Sequence, residues 1–372
     1  MKHRTFQATL LIALLNTATT AAFAIHRPTH HTPLEPHRTT MNSHTSDPDA
    51  MPDDDKYLFD LNGYILLKNV LTPEEVLAAN RAIDTRTDQF HERTNPTLRN
   101  ASGGIGSPMY GTGPGRKDLA GVFDWGSVDS RVYKSLLAHP RLVPYFHELL
   151  GKGYRMDHLP FVIAQDKGGD GFSLHGGTID CQSGVYNHVL AYTYAHGTMR
   201  NQLLGCSLIL SDHKEGDGGF CVVPGSHKSN VKMPKGMVDG LTHREFIRQP
   251  VTQAGDVLLF SEGTVHGALA WKGETQRRVC LYRFAPATCA YGRSYFGNEQ
   301  GDGSSEGGGG GSATAWPATF YDDLDDAGKA VLEPPYANRL DRPNIEGGSV
   351  IMTTRSETKK AFDKEVFGTK YF

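Results

Sequence analysis

Two histidines and one arginine, far apart in the chain, are the side chains with the clearest chemical potential. His175 follows a glycine-rich segment, His266 ends an apolar run, and Arg277 precedes the next apolar run. An iron(II) centre that activates dioxygen needs a few imidazole or oxygen ligands on one face and open positions opposite. An arginine presents paired N–H donors that suit a carboxylate. The three residues therefore indicate a metal site beside a carboxylate-binding site.

Short apolar and β-branched segments predict that a β-rich scaffold positions these residues. The segments are separated by Gly, Asp and Pro turns and have no helical pattern between them, which is typical of a sandwich or barrel. Strands are predicted at 159–165, 188–195, 203–211, 219–223, 256–262 and 278–285. His175 and His266 then lie at strand ends, where a barrel has its mouth.

Helices are predicted before these strands. Thr72-Pro73-Glu74-Glu75 supplies an N-cap, a proline at the first helical position and a glutamate at the third, so a helix is predicted to about Ile83. A second helical stretch is predicted over residues 130–150, and residues 95–118 predict a long loop. The predicted fold class is mainly β with helical flanks.

Composition restricts the class of protein. The 372 residues allow one large β-rich domain with extensions, and the net charge of −3 with 21% charged residues is ordinary. No basic stripe suggests a nucleic-acid partner, and no apolar run beyond the N-terminus predicts a transmembrane segment. The five cysteines form no CxxC pair, so buried thiols are predicted instead of disulfides or a zinc site.

The N-terminal region has the pattern of a targeting leader. Residues 1–24 combine a basic start, a short apolar stretch and a small-residue exit, which predicts a signal peptide. Residues 25–46 are basic and hydroxyl-rich like a transit peptide, and an acidic linker to residue 55 follows. Ala22-Phe23-Ala24 resembles the cleavage motif of plastid leaders in algae with complex plastids. A plastid location is therefore predicted, with secretion or an endomembrane lumen as the alternative.

Three motifs in order resemble the phytanoyl-CoA dioxygenase-like family of iron(II)- and 2-oxoglutarate-dependent oxygenases. They are residues 62–67 (NGYILL) with 72–75 (TPEE), residues 218–228 (GGFCVVPGSHK), and residues 255–267 (GDVLLFSEGTVHG) followed by Arg277. The resemblance implies an oxygenase domain over residues 56–290. Its core, at about 155–290, is expected to be a double-stranded β-helix, a jelly-roll or cupin-like barrel. Residues 291–372 are expected to form a Gly-rich linker and a C-terminal extension.

The resemblance also implies the cofactors and the residues that hold them. Iron(II) is expected on His175 and His266, and 2-oxoglutarate on Arg277, with Gln165 and Ser207 lining the cosubstrate pocket. His175, His266 and Arg277 are thus the candidate catalytic residues. Dioxygen and a small molecule would be the other partners.

The third iron ligand departs from the family pattern. The family has His-x-Asp or His-x-Glu, whereas this chain has His175-Gly176-Gly177. One interpretation supplies the carboxylate from Asp180, near in sequence, or from Glu262, which shares strand parity with His266. A second places chloride at the Gly177 position, as in iron halogenases with Gly or Ala there. A third makes the protein a metal-free ligand-binding barrel.

The expected reaction is hydroxylation or desaturation of a small or medium hydrophobic metabolite. Pigments and isoprenoids are candidates if the leader reaches a plastid, and halogenation is the alternative reaction. Residues 95–118, residues 181–202 and the C-terminal extension are expected to set the substrate.

Overall fold

Two antiparallel sheets carry the residues singled out by the sequence. The structure, a computed structural model, describes residues 50–94, 104–291, 316–335, 342–353 and 357–367, all within the unit Ser46–Phe372. The leader predicted over residues 1–24, the transit-like segment 25–46 and most of the Gly-rich linker lie outside these residues. The predicted targeting therefore stays a prediction.

The strands of the described residues are antiparallel and range from two to eleven residues in length. They are β1 (Tyr64–Leu67), β2 (His91–Glu92), β3 (Lys117–Leu119), β4 (Arg155–Gln165), β5 (Phe172–His175), β6 (Tyr192–Ala195), β7 (Thr198–Asn201), β8 (Leu204–Ile209), β9 (Gly219–Val222), β10 (Val257–Ser261), β11 (His266–Leu269), β12 (Arg277–Ala285), β13 (Arg342–Glu346) and β14 (Ser349–Thr353). Seven strands form one sheet in the order β1-β10-β8-β12-β4-β3-β2, and three form another in the order β5-β11-β9. Two further pairs, β6-β7 and β13-β14, are hairpins.

A cavity separates the seven-stranded sheet from the three-stranded one. It is lined by β4, β8, β10 and β12 on one side and by β5, β9 and β11 on the other. Within the described residues, hydrogen bonds do not join the two sheets into the closed barrel that was expected. The sheets instead face each other across the cavity, so their inner side chains surround a space open to ligands.

The helices of the described residues are α1 (Asp53–Asn62), α2 (Pro73–Asp84), α3 (Ser127–Ser135), α4 (Val143–Leu150), α5 (Lys235–Val238), α6 (Ala318–Tyr321), α7 (Asp326–Val331) and α8 (Glu357–Phe367). All of them except α5 and α8 contribute side chains to an outer layer that covers the seven-stranded sheet. Because side chains alternate along a strand, β12 directs Tyr282 and Phe284 outward while Arg277 lines the cavity. The Phe284 ring packs 4.5 Å from Phe146 of α4, and the Tyr282 hydroxyl donates to Tyr133 O in α3 (2.9 Å). This outer layer is the main hydrophobic core and holds the sheet rigid behind the cavity.

The helix predicted from the capping motif is confirmed. The hydroxyl of Thr72 accepts from Glu75 N (3.2 Å), and the Glu75 carboxylate accepts from Thr72 N (2.8 Å), so α2 begins with a capping box. The single helix predicted over 130–150 was wrong, because α3 and α4 are separate. Pro140 lies in the break, and a proline disfavours the helical region for the residue before it.

Two other boundaries differ from the sequence-based expectations. The predicted strand 188–195 is extended only at β6, since Leu190 N donates to Asn187 O (3.1 Å) in a turn just before it. The acidic linker ends inside α1, whose first turn holds Asp53, Asp54 and Asp55. Carboxylates there interact favourably with the positive end of the helix dipole.

The cysteines and part of the C-terminal extension agree with the sequence-based expectations. All five cysteines are described, none forms a disulfide, and four of them are buried. Trp316 and Phe320, beyond the linker, pack into the main core, so this part of the C-terminal extension covers the domain. Among the described residues, no helix has both the length and the apolar character needed to cross a bilayer.

Hydrogen bonds to the buried Asp256 carboxylate attach the segment that follows β1 to the sheet. Removing this carboxylate tests how much the attachment stabilises the fold. The carboxylate accepts from Asn69 N (2.9 Å), Gln253 N (2.8 Å) and Lys68 Nζ (2.9 Å). Asp256→Ala leaves these donors without their acceptor, so we expect the free energy of unfolding to fall by about 2–4 kcal/mol. Urea unfolding followed by circular dichroism measures this. Glu215→Gln, at an exposed acid, is the control, and equal midpoints for the two variants would contradict the expectation.

Candidate metal centre

The pairing of β5 with β11 brings the two histidines together. His175 and His266 are direct partners in the antiparallel register, and their ring centroids lie 4.3 Å apart. His175 is the last residue of β5 and His266 the first of β11, so both imidazoles stand at the same edge of the three-stranded sheet. Residues far apart in sequence therefore form one site.

Backbone carbonyls fix the orientation of both imidazoles. Nδ1 of His175 donates to Ser173 O (2.9 Å), and Nδ1 of His266 donates to Thr264 O (2.8 Å). A carbonyl oxygen only accepts, so the proton must be on Nδ1 and the lone pair on Nε2 in each neutral ring. This is the arrangement that metal-binding histidines use.

Glu262 completes a cluster of three potential ligands. One ligand atom from each of His175, Glu262 and His266 lies within 4.8 Å of the other two. Oε2 of Glu262 is 3.6 Å from Nε2 of His266, while Oε1 accepts from Arg283 Nε at 2.6 Å. Burial alone raises the pKa of Glu262, but the charge and the hydrogen bond of the Arg283 guanidinium outweigh it and hold that pKa well below its usual range. The carboxylate is thus an anion held with one oxygen towards the imidazoles.

The other candidates for the third ligand lie outside this cluster. Asp180 Oδ1 accepts from Gln182 N (3.2 Å), Ser183 N (2.6 Å) and Ser183 Oγ (2.7 Å), so its carboxylate stabilises a turn. Gly177 has a φ of 103°, and a Cβ there would lie 2.4 Å from Ile179 O. Position 177 therefore has neither the backbone conformation nor the space for an Asp or Glu side chain.

Arg277 lies deeper in the same cavity, with Gln165 beside it in the register of β4 and β12. Its Nη1 donates to Gln165 Oε1 (2.7 Å), and Gln165 Nε2 donates to Asp170 O (2.5 Å). Burial, together with the nearby Arg116, lowers the pKa of Arg277 to about 9. Its buried Nε has no hydrogen-bond partner, and no described carboxylate pairs with it. A buried cation without a carboxylate partner suits the binding of an anionic ligand.

The cavity around these residues has a volume of about 310 Å³. Ser207 lines it from β8, so all five residues predicted for iron and cosubstrate face one space. Aromatic rings surround the imidazoles: Phe172 is 5.0 Å from His175, and Phe260 is 4.7 Å from His266. This apolar wall limits the access of water to the cluster.

Sequence reasoning missed three arginines that line the cavity, Arg93, Arg116 and Arg283. Arg283 forms the ion pair with Glu262, and Arg116 lines the cavity with its guanidinium 5.2 Å from the Phe172 ring centroid. Strand parity was a usable signal for Arg283, because Arg277 and Arg283 are an even number of residues apart on β12. Arg116, in the predicted loop 95–118, had no comparable signal.

A second, smaller cavity adjoins the cluster. It has a volume of about 180 Å³ and contains His175, Glu262 and Arg283 in its lining, together with Asp180 and Asn187. A larger cavity of about 800 Å³ is lined by parts of α3, α4 and α7, and none of the three cluster residues reaches it. We therefore place the chemistry at the cluster and not in this larger cavity.

The donor set fits a divalent transition metal. Two imidazoles and one carboxylate on one face match the facial triad of non-haem iron(II) oxygenases. The unpartnered Arg277 Nε matches a carboxylate of a cosubstrate such as 2-oxoglutarate.

Comparison with known proteins gives the family. The family model for phytanoyl-CoA dioxygenase (PhyH) matches residues 59–279, more than half of the chain. The chain belongs to the phytanoyl-CoA dioxygenase family. Membership confirms the family predicted from the three sequence motifs.

Individual relatives are distant. Ectoine dioxygenase from Streptomyces coelicolor is 24% identical over 177 residues, which are 47% of this chain and 50% of the relative. The chain thus spans about half the length of the curated relative it matches. HygX from Streptomyces hygroscopicus, solved with nickel and 2-oxoglutarate, has 19% identity and a TM-score of 0.52 over 65% of this chain and 90% of HygX. Iron-bound HygX gives a TM-score of 0.50 at 20% identity over the same shares, so this PhyH-family chain shares the HygX fold.

The affinity for iron(II) distinguishes Glu262 from Asp180 as the third ligand. We expect Glu262→Gln to weaken iron(II) binding at least about tenfold, since it removes the charged donor from the cluster. Asp180→Asn preserves the turn acceptor and should leave the affinity for iron(II) unchanged. Anaerobic equilibrium dialysis measures both variants against the parent protein. The reverse order of affinities would assign the ligand to Asp180.

Proposed function

We propose that this protein is an iron(II)- and 2-oxoglutarate-dependent oxygenase that hydroxylates or desaturates a small molecule. The observation that supports this proposal most strongly is the cluster of His175, Glu262 and His266. It lies beside the buried Arg277, which pairs with no carboxylate of the described residues. In this proposal the two facing sheets are the walls of a double-stranded β-helix, with iron at one edge and the cosubstrate between them. The fold shared with HygX supports that assignment.

Iron is proposed to bind Nε2 of each imidazole and Oε2 of Glu262. Iron(II) with 2-oxoglutarate supplies the oxygen-activating chemistry when bound. The chain's part is to hold the imidazoles by their Nδ1 protons and the carboxylate by Arg283. Ligands fixed by such outer contacts bind a metal with little reorganisation.

The cosubstrate is proposed to place its distal carboxylate on Arg277. Gln165 Oε1 accepts from Nη1 of the guanidinium, and Arg277 and Ser207 both line the cavity. Gly219 allows this position, since a Cβ there would lie 2.6 Å from Arg277 Nε. The phenylalanines around the cluster then exclude water and keep the charged contacts strong.

A halogenase is less well supported than an oxygenase. The halogenase hypothesis came from the missing side chain at Gly177, but Glu262 supplies a carboxylate to the same two imidazoles. A metal-free barrel is disfavoured by the orientation of both histidines towards Glu262. The leader suggests that the enzyme acts in a plastid, with secretion as the alternative.

Turnover of 2-oxoglutarate tests the function. Protein reconstituted anaerobically with iron(II) and 2-oxoglutarate, then exposed to dioxygen, should release succinate without added chloride. His175→Ala and His266→Ala should release none above background, because each removes one imidazole donor. Succinate formation that requires chloride would favour the halogenase instead. Intact iron binding and succinate release in both variants would contradict the proposed centre.

The neighbouring arginines of β12 provide a matched pair for the cosubstrate site. Arg277 faces the cavity, whereas Arg278 faces away and pairs with Asp84 at 2.7 Å. Arg277→Met should raise the KM for 2-oxoglutarate at least about tenfold, since it removes a desolvated charge-assisted contact. Arg278→Met should change that KM less than about twofold. Similar KM values for the two variants would place the carboxylate elsewhere.

A further inference from the structure

The second cavity next to the metal cluster has a lining that the proposed iron and 2-oxoglutarate chemistry does not use. Its walls include the polar residues Asp180, Asn187 and Arg283, the stacked rings of His158 and Tyr291, and the apolar side chains of Leu190 and Leu203. The residues shared with the metal cluster are His175 and Glu262. A molecule in this space would therefore lie directly beside the metal ligands.

Three polar side chains in this lining have unused hydrogen-bonding capacity. Oδ1 of Asp180 accepts three hydrogen bonds, but Oδ2 accepts none from the described residues. Arg283 uses Nε for Glu262, and its two Nη groups have no partner in the part of the chain that the structure describes. The side-chain amide of Asn187 is likewise unpaired among those residues. The cavity thus offers an anionic acceptor, cationic donors and a neutral amide.

This polarity argues against an apolar ligand. A hydrophobic molecule would displace water from these groups and leave them unpaired, which costs about 1–3 kcal/mol for each group and more for the charged ones. A site built to hydrogen-bond its ligand rejects analogues that lack the matching groups. The hydrophobic metabolite expected from the sequence therefore does not match the lining.

The size of the cavity restricts the ligand further. Its volume of about 180 Å³ is below the roughly 300–1,000 Å³ of typical ligand pockets, so the ligand is compact. The Nη pair of Arg283 suits a carboxylate, and Oδ2 of Asp180 suits an ammonium group. One small molecule that has a carboxylate and an ammonium group would match both Arg283 and Asp180.

We propose that this cavity is the substrate site and that the substrate is a compact zwitterion of the amino-acid type. Its carboxylate binds Arg283, its ammonium group binds Asp180, and Asn187 contacts the remainder. Because Arg283 also holds Glu262, the carboxylate end of the substrate lies next to the metal ligands. Arg283 is then both a substrate-binding residue and the residue that positions Glu262. This inference rests on the proposed oxygenase function.

The test measures binding and turnover separately. Melting temperature is measured with nickel(II) and 2-oxoglutarate, which prevents turnover, in the presence of each of the twenty proteinogenic amino acids. Succinate release is measured with iron(II) and the same panel. For each active amino acid, the amine without its carboxylate and the acid without its amine are compared, and farnesol and phytol serve as apolar probes. At least one amino acid should raise both the melting temperature and succinate release, and both truncated analogues should act at least about tenfold more weakly.

Asp180→Asn keeps the acceptor of the turn and removes the charge. It should raise the KM for the active amino acid at least about tenfold and reduce the nickel-dependent melting shift. Glu215→Gln removes an exposed acid outside both cavities and should change neither quantity.

The outcomes separate the inference from the proposed function. Iron-dependent succinate release without any response to amino acids, or a response only to farnesol or phytol, would overturn the zwitterion site and leave the oxygenase intact. An unchanged KM in Asp180→Asn would also overturn it. Absence of iron-dependent succinate under every condition would refute the oxygenase, and the nickel melting shifts would still decide whether the cavity binds a zwitterion.

Discussion

The pairing of β5 with β11 is the constraint on which the site depends. It sets His175 opposite His266 at one sheet edge, and no local feature of either segment would bring the two rings to 4.3 Å. The outer helices hold the facing sheet in place through the main core, so Arg277 and Gln165 stay fixed relative to that edge. Rigid elements position catalytic side chains more accurately than loops do. The long strands and the helix layer are therefore part of the function.

In the proposed metal centre, the carboxylate ligand is kept while its position in the sequence changes. In the usual motif the acid follows the first histidine, but here Gly177 has a left-handed backbone with no room for a side chain. Glu262 reaches the imidazoles from the turn before the second histidine. A buried carboxylate needs compensation, and Arg283 provides it. A carboxylate at position 262 thus depends on two residues, Glu262 and its partner Arg283. The Arg283 guanidinium also lines both cavities.

Much of the fold was accessible from the sequence because its signals are local. Apolar and β-branched runs gave β4, β6, β8, β9, β10 and β12 to within a few residues, and the capping box gave α2. The break at Pro140 and the turn before Tyr192 were missed, since short apolar runs do not reveal where hydrogen bonding ends. The choice between Asp180 and Glu262 also could not be made, because it depends on which way a turn directs a carboxylate. Nearness in sequence favoured Asp180, whose carboxylate is used by its own turn.

The central claim is that one metal ion is held by His175, His266 and Glu262 together. Anomalous diffraction at the iron absorption edge, from crystals grown anaerobically with iron(II), tests it most directly. We expect a single peak within coordinating distance of Nε2 of both imidazoles and of a Glu262 carboxylate oxygen. A peak bound by Asp180, or by the imidazoles with a halide in place of Glu262, would contradict it.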